Sequence, residues 1–566
     1  MPRIDAALVN RETHVLLPAD SNQALGLAQY AIDFLWGQPG KGADPAASVV
    51  ERINLFHTDA TIAGLSAIAL GTNAPNLLRR EAAEYPATPG AFGAGGPAWA
   101  RKAVRAGVPV FGSRQDVAVE KAVVANASAV REWDTNGTNF GYNPRLGQTA
   151  GEFGHNDFYA VPIAAAQLRG LDGKTALRGM LLLDEVRGRL AEAFSLKTYK
   201  IDHVLHGAIG SAVTFGAMMG ATAEQIESAV GMVVAHHVPF RAIRAGKQLS
   251  DSKGASAAIS TEAAVLAVKR SMGGFLGPRD IFRNPEAVFR IFEGPGQMFQ
   301  KVGGGKANTE RADASPFDLC LARAGDDFAV MGMHFKLGLY EHQSAGALQG
   351  LINIINRNPA LLDDQTGDCI SKIVVRAYEP AFGIIGDPAK RDPKTRQSAD
   401  HSMLYLVCTM LRKALELHSA AAGRTPRPAL GWKELMLTPH DFSPKALHDP
   451  LTRELMGKMS FEHGGPEYDA KYPDGIPTSI VVTDDEGATH DSGLVMYPGG
   501  HARNHAGPDA INLKDVLAHK FEVLGRLAVD DPKGLIARLS NVEAKNADAI
   551  ASLYDFTLKA SAEAFD

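Results

Sequence analysis

Apolar residues recur at helical spacing through most of the first 300 positions. Ser21 stands where a cap opens a helix through Ala24, Leu27, Ile32, Phe34 and Leu35. Residues 116–133 keep the same spacing and stop just before Asp134. Residues 175–194 form a third such run, with Leu177, Met180, Leu181, Val186, Leu190 and Phe194. Thr222 is placed to cap a fourth, whose Ile226, Val230 and Val233 share one face. The Gly- and Pro-rich stretches 87–97 and 136–154 read as loops between these runs. After about residue 328 the period changes. Residues 331–339 read as a strand leading into a helix over 344–355. Residues 370–378 are β-branched and bounded by turn signals, which predicts a strand. Residues 400–415 return to helix. Residues 478–483 and 492–497 flank Asp484-Asp485-Glu486-Gly487, a hairpin signal. Residues 513–556 are helical again, with a break near Pro532-Lys533-Gly534. The charged segment 387–400, with Pro388 and Pro393, reads as a surface loop.

This pattern predicts a mainly α protein: a large helical part, an α+β part and a helical C-terminal part. At 566 residues the chain exceeds one ordinary core, so two or more domains are expected. The changes of period place them at 20–327, 328–506 and 507–566. Hydrophobic content of 45% and charged content of 21% are those of a soluble globular protein. A net charge of -5 gives no reason to expect a nucleic-acid partner. An anionic substrate would instead need a local basic pocket. No apolar run reaches the roughly 18 to 20 residues that span a bilayer. The first 22 residues carry Arg3, Asp5, Arg11, Glu12 and Asp20 and lack the apolar core of a secretory signal. Cys320, Cys369 and Cys408 are far apart and form no Cys-x-x-Cys pair, which argues against a cysteine-ligated metal and fits a reducing cytoplasm.

Candidate chemistry concentrates in a few segments. Asp134, Thr138 and His155 place an acid, a hydroxyl and an imidazole close in sequence. Histidine titrates near neutrality and suits proton transfer in either direction. Asp134 can orient an imidazole or act as a second acid or base, and Thr138 can bond a substrate carboxylate or hydroxyl. Equally, Asp134 can end a helix and His155 can start one. His203, in Asp202-His203-Val204-Leu205-His206, precedes an apolar helix. His203 and His206, with His236 and His237, are also metal-ligand types, but no His-Glu-x-x-His pattern or carboxylate pair supports a metal. Arg241, Arg244, Lys247 and Lys253 form a basic stretch that suits carboxylates, or simply a solvated loop. Lys336, in an apolar setting, is followed by His342. Gly90 to Gly96 has no Gly-Lys pair, and Gly303-Gly304-Gly305-Lys306-Ala307 lacks the Ser or Thr of a phosphate loop, so nucleotide use is unsupported.

The order of these segments carries a resemblance. Asp134-x-x-x-Thr138 followed by Gly154-His155, then Ile201-Asp202-His203-Val204, Ser252-Lys253-Gly254-Ala255, Phe335-Lys336 with His342-Gln343-Ser344-Ala345, Asp400-His401-Ser402 and Tyr497-Pro498-Gly499-Gly500-His501-Ala502-Arg503 resemble the MmgE/PrpD family. That family includes 2-methylcitrate dehydratase, cis-aconitate decarboxylase and an iminodisuccinate epimerase. The resemblance covers roughly residues 20 to 530. It implies an all-helical domain with an α+β lid, the active site in the cleft between them, a homodimer, and no metal or organic cofactor. It implies a small polycarboxylate substrate, with Asp134, His155, His203 and Lys253 as catalytic residues. Thr138, Arg241, Arg244, Lys336 and His342 would bind the substrate, and His501 and Arg503 would have a structural or lid role. The chain departs from the pattern by an insertion near 142–151, by Asn156 where proline commonly follows the first histidine, and by an extended loop at 386–398. Tyr378 lies close to where the decarboxylase's lid tyrosine would fall. The expected activity is hydro-lyase chemistry of the 2-methylcitrate dehydratase type. Decarboxylation or epimerisation on the same fold is the alternative, and a non-catalytic polycarboxylate-binding scaffold is the alternative of a different class.

Overall fold

A computed structural model describes residues 3–87, 99–244, 248–291, 314–386, 388–422, 429–561 and 565. Most of the predicted 87–97 loop and the Gly303–Lys306 segment lie outside the described residues. Among the described residues, nine long helices build the first part: α1 (Gln23–Trp36), α2 (Ala47–Ala69), α3 (Asn73–Ala83), α4 (Val119–Glu132), α5 (Ala160–Arg169), α6 (Gly173–Ala193), α7 (Val204–Met219), α8 (Ala223–His236) and α9 (Asp251–Met272). All 16 residues of α7 are buried, so it has no solvent face and runs through the middle of the bundle. It packs against α6, α8 and α9, and α9 packs on α4. Close approach here depends on glycine. A Cβ on Gly207 would sit 1.9 Å from Phe158 Cζ.

The caps explain several boundaries. Thr222 starts α8 with a reciprocal capping box to Gln225. The cap of α1 is Asn22 rather than Ser21: Asn22 Oδ1 accepts from Leu25 N, while Ser21 is turned back to the Pro18 carbonyl. Asp172 starts α6 three residues before the apolar run signalled it. The helix expected from residue 400 starts at Met403, where Ser402 caps it.

The α+β part holds a four-stranded sheet ordered Met459–His463, Ile370–Ala377, Thr478–Asp484, Thr489–Asp491. The first pair is parallel and the others antiparallel. The Ala345–Arg357 helix packs on its Thr478–Asp484 strand. Two expectations fail here. The hairpin partner is Thr489–Asp491, because Asp484 accepts from Ala488 N and closes the turn early. Of the expected 492–497 strand, Val495 alone forms a bridge, to Thr478. Residues 331–339 are likewise not a strand. Their backbone groups bond one at a time to separate segments: His334 to Thr138, Phe335 N to Gly500 O and Leu339 N to Leu437 O. They form a buried crossing between the two parts, and Phe335 stacks on Phe56 of α2 with ring centroids 3.9 Å apart. One apolar core runs continuously from Leu17 to Tyr554 through both parts.

The C-terminal pattern resolves into three helices, Leu513–Ala528, Pro532–Leu539 and Ala547–Ala551. The first packs on α2. Its Lys520 is fully buried, with Nζ 2.7 Å from Asp59 Oδ1 of α2. The same ammonium donates to the carbonyls of Thr135 and Lys336, each at 2.7 Å. Among the described residues no single helix is long and apolar enough to cross a membrane.

Replacing Lys520 with Met strands the Asp59 carboxylate and two carbonyls without a donor. Breaking a buried pair from one side costs about 3–5 kcal/mol. Lys520→Met should therefore lower the thermal midpoint by several degrees in a calorimetric scan.

Candidate active site

The turn after α4 carries the first group of candidates. Arg131, in the last turn of α4, reaches three residues on to Asp134, with Nη1 2.5 Å from Oδ1. Lys336 of the crossing segment donates to the same oxygen. On the other oxygen, His401 Nδ1 lies at 3.1 Å and Lys253 Nζ at 3.9 Å. Lys253 also bonds both oxygens of Asp400, at 2.7 and 2.9 Å, and His401 Nδ1 is 2.7 Å from Asp400 Oδ1. All of these groups are buried. Burial alone would raise the Asp134 carboxyl, but Arg131, Lys336, His401 and Lys253 together hold it well below the usual carboxylate range. Burial lowers Lys253 and Lys336, against the pull of Asp400 and Asp134.

Asp134, Asp400 and His401 bring donor atoms within 4.8 Å of one another, as metal ligands do. Their carboxylates, however, already face two ammonium groups and a guanidinium. A divalent ion would have to displace a lysine.

The second group sits on a hairpin inside the predicted 136–154 loop. Thr138–Phe140 pairs with Phe153–His155, and Thr138 is directly opposite His155. The 142–151 insertion is the hairpin's own loop, closed by paired bonds between Asn143 and Gln148. Thr138 Oγ1 donates to Gly154 O at 2.9 Å, so it offers the site an oxygen lone pair. Gly154 leaves room for the bond from Arg187 of α6 to Asn139, since a Cβ there would lie 2.4 Å from Arg187 Nη1.

The two histidines differ in what they present. His155 Nε2 is 3.3 Å from Arg131 Nη2. A guanidinium can only donate, so Nε2 accepts and the ring proton resides on Nδ1, which has no partner. His203 precedes α7, and its ring is 5.1 Å from that of His155. Its Nδ1 lies 3.3 Å from Asp202 Oδ1, outside hydrogen-bonding geometry, and its Nε2 has no partner. Burial, reinforced by nearby cations, holds both imidazoles neutral. Asp202 is raised by burial but lowered further by Arg244, whose Nε is 2.5 Å from Oδ2, and stays ionised. Arg241 has a buried Nη1 without a partner.

A cavity joins these residues. Arg131, Thr138, His155, His203, Arg241 and Arg244 line it from the helical part. Glu341, Gln343, Lys390 and His401 line it from the α+β part, and Phe140, Phe153 and Ile384 complete the wall.

Residues 87–300 match the MmgE/PrpD N-terminal domain. The chain is 24% identical to 2-methylcitrate dehydratase of Escherichia coli O157:H7 over 443 residues, covering 75% of this chain and 79% of that protein. It is 23% identical to 2-methylcitrate dehydratase of Salmonella typhimurium over 358 residues, covering 62% of this chain and 64% of that protein.

Of the residues singled out by the likeness to the MmgE/PrpD family, Thr138, His155, His203, Arg241 and Arg244 line the cavity. Asp134, Lys253 and Lys336 stand behind its wall. His342 packs against Phe140 at 5.8 Å and His334 at 5.0 Å, with both ring nitrogens unpartnered. Tyr378 is buried and stacks on Tyr472 at 4.8 Å. His501 stacks on His334 at 4.0 Å, and Ala502 N donates to His334 Nδ1, which holds the crossing segment. Lys247 lies outside the described residues. His236 and His237 are exposed while His203 and His206 are buried, and the four do not converge.

Sequence reasoning gave no role to Arg131, Asp202, Glu341, Lys390, Asp400 or His401. Five of them carried a signal: Arg131 is one helical turn before Asp134, Asp202 and Glu341 each precede a candidate histidine, and Asp400-His401 stands in one of the motifs that carry the resemblance.

Eight fully buried histidines (57, 155, 203, 206, 334, 342, 401 and 501) are held below the ordinary imidazole range by burial. His57 falls to about 4, and His206, His401 and His501 to about 3. Unfolded histidine titrates near ~6.5. Between these values the unfolded chain binds more protons, so stability rises with pH. The thermal midpoint should therefore hold above pH ~6.5 and fall steadily below it. His206→Leu, which removes a ring outside the cavity wall, should make that decline shallower.

Proposed function

We propose that the chain is a carbon–oxygen lyase that removes water from a small hydroxy-polycarboxylate, as a 2-methylcitrate dehydratase would. The observation that carries this reading is one buried cavity with two neutral imidazoles set among cations. Loss of water from a β-hydroxy acid begins with removal of a proton next to a carboxylate. Cations that grip that carboxylate make the proton easier to remove. Arg241, with its unpartnered Nη1, is the main grip, and Arg244 adds charge while fixing Asp202. His203 is the base: Asp202 faces its Nδ1 and its Nε2 lone pair is unengaged. His155 presents Nδ1–H and steadies the charge that develops on the carboxylate oxygens. Asp134, Lys253 and Lys336 act indirectly, by fixing Arg131 and through it His155. Each step uses side chains alone. The names of the relatives favour 2-methylcitrate as substrate.

The test is an NMR time course in heavy water with 2-methylcitrate, citrate and cis-aconitate. Loss of water, or deuterium exchange next to a carboxylate, supports the reading. Release of carbon dioxide or a pure change of configuration would replace dehydration by decarboxylation or epimerisation. No change from folded protein would overturn it.

His203→Asn should lower kcat by about 10²–10⁴, the usual worth of a positioned base. Arg241→Ala should act mainly on KM, raising it at least tenfold in steady-state assays.

A further inference from the structure

Dehydration needs an acid as well as a base, because hydroxide leaves poorly without a proton. On the dehydratase reading, this site must therefore supply one. His155, His203 and His401, the imidazoles in the cavity wall, are all neutral. A neutral imidazole N–H does not give up its proton near pH 7. The guanidinium groups of Arg131, Arg241 and Arg244 do not either.

Glu341 is different. It lies between the crossing segment and the Ala345–Arg357 helix, and it enters the wall from the α+β side. Its backbone N–H bonds the Asp400 carbonyl at 2.8 Å, which fixes the chain. Its Oε2 accepts from Gln343 N at 2.7 Å, which fixes the side chain. Its Oε1 has no hydrogen-bond partner among the described residues. The carboxyl is therefore aimed, with one oxygen left over. The charged and titratable groups around it are Asp134 and Lys336 behind the wall, Lys390 on the following loop, Asp400 and His401 at its backbone, the buried phenols Tyr378 and Tyr472, and His155 and His203 across the cavity. Burial first, then repulsion from Asp134, pushes the Glu341 carboxyl up to about 7, against the pull of Lys336 and Lys390. A substantial fraction of it carries a proton at neutral pH.

We propose that Glu341 is the general acid of this site, delivering its proton to the departing hydroxyl after His203 has taken the proton next to the carboxylate. The C–H pair becomes the new C=C bond. The C–O pair leaves with oxygen, which takes the Glu341 proton and departs as water. His203 is left as imidazolium and Glu341 as carboxylate. One proton passes from the first to solvent and one from solvent to the second, which restores both.

The test separates the two proton transfers, using 2-methylcitrate and citrate in heavy water. In Glu341→Gln the amide oxygen can still accept from Gln343 N, so the fold is kept, and a thermal scan checks it. Water loss should fall by about 10²–10⁴. Deuterium exchange next to the carboxylate should continue, because His203 is untouched. The alkaline fall in kcat above pH ~7 should vanish from the residual activity, and Glu341→Asp should recover part of the turnover and keep that limb. Glu341→Gln dehydrating within threefold of wild type, or losing exchange and dehydration together, would overturn the role. A wild-type protein that does neither reaction overturns the dehydratase reading, and Glu341's role with it.

Discussion

The carboxylate of Asp134 ties four distant stretches of chain to one point: the end of α4 through Arg131, the start of α9 through Lys253, the crossing segment through Lys336, and the approach to the Met403–Ala420 helix through His401. Ions this deeply buried are tolerable only when every one is matched. Asp400 balances the surplus on Lys253, and Asp157 lies 3.8 Å from Arg131. The helical and α+β parts thus meet over shared charge as well as over the Phe56–Phe335 stack. The charge fixes their register, since a shift of either part would strand an ion.

This arrangement divides labour. The fully paired ions sit behind the wall and set the potential. The groups facing the cavity are those whose protonation that potential can tune. Surplus cations and burial act in the same direction on the imidazoles and keep them uncharged. On carboxylates they act in opposite directions, so outcomes diverge. Asp134 and Asp202, touched by cations, stay ionised. Glu341, reached by its cations only at longer range, is governed by burial.

Much of this was legible in the sequence because it is local. The helical period found the cores of α1, α4, α6 and α8, and Thr222 marked its own cap. Asp134, His155 and His203 stood out because their motifs are short. The hairpin that sets Thr138 against His155 was not legible, since three-residue strands give no alternation to read and the 142–151 loop hides their pairing. The segment 331–339 looked like a strand because it is buried and apolar. Burial there comes from sitting between two parts, and its backbone bonds are scattered over the Thr138 strand and two loops rather than running along one neighbouring strand. Asp400-His401-Ser402 stood out as a motif, but what it does rests on a contact 147 residues away, Lys253 with Asp400, which no local pattern records.

Lys520 has a bearing on the order of assembly. Its three partners are Asp59 and the carbonyls of Thr135 and Lys336, and the lysine is added 385 residues after Thr135. At about 5–20 residues per second, that leaves the Thr135 turn waiting roughly 20–80 s during synthesis. Throughout that interval Asp59 is an acid without its counter-ion inside what should be a dry core. The helical part can collapse early, but it cannot close around α2 until the Leu513–Ala528 helix docks. A nascent chain still lacking that helix carries every histidine of the cavity and yet no finished cavity, so the last long helix acts as the latch on a site built almost entirely from what precedes it.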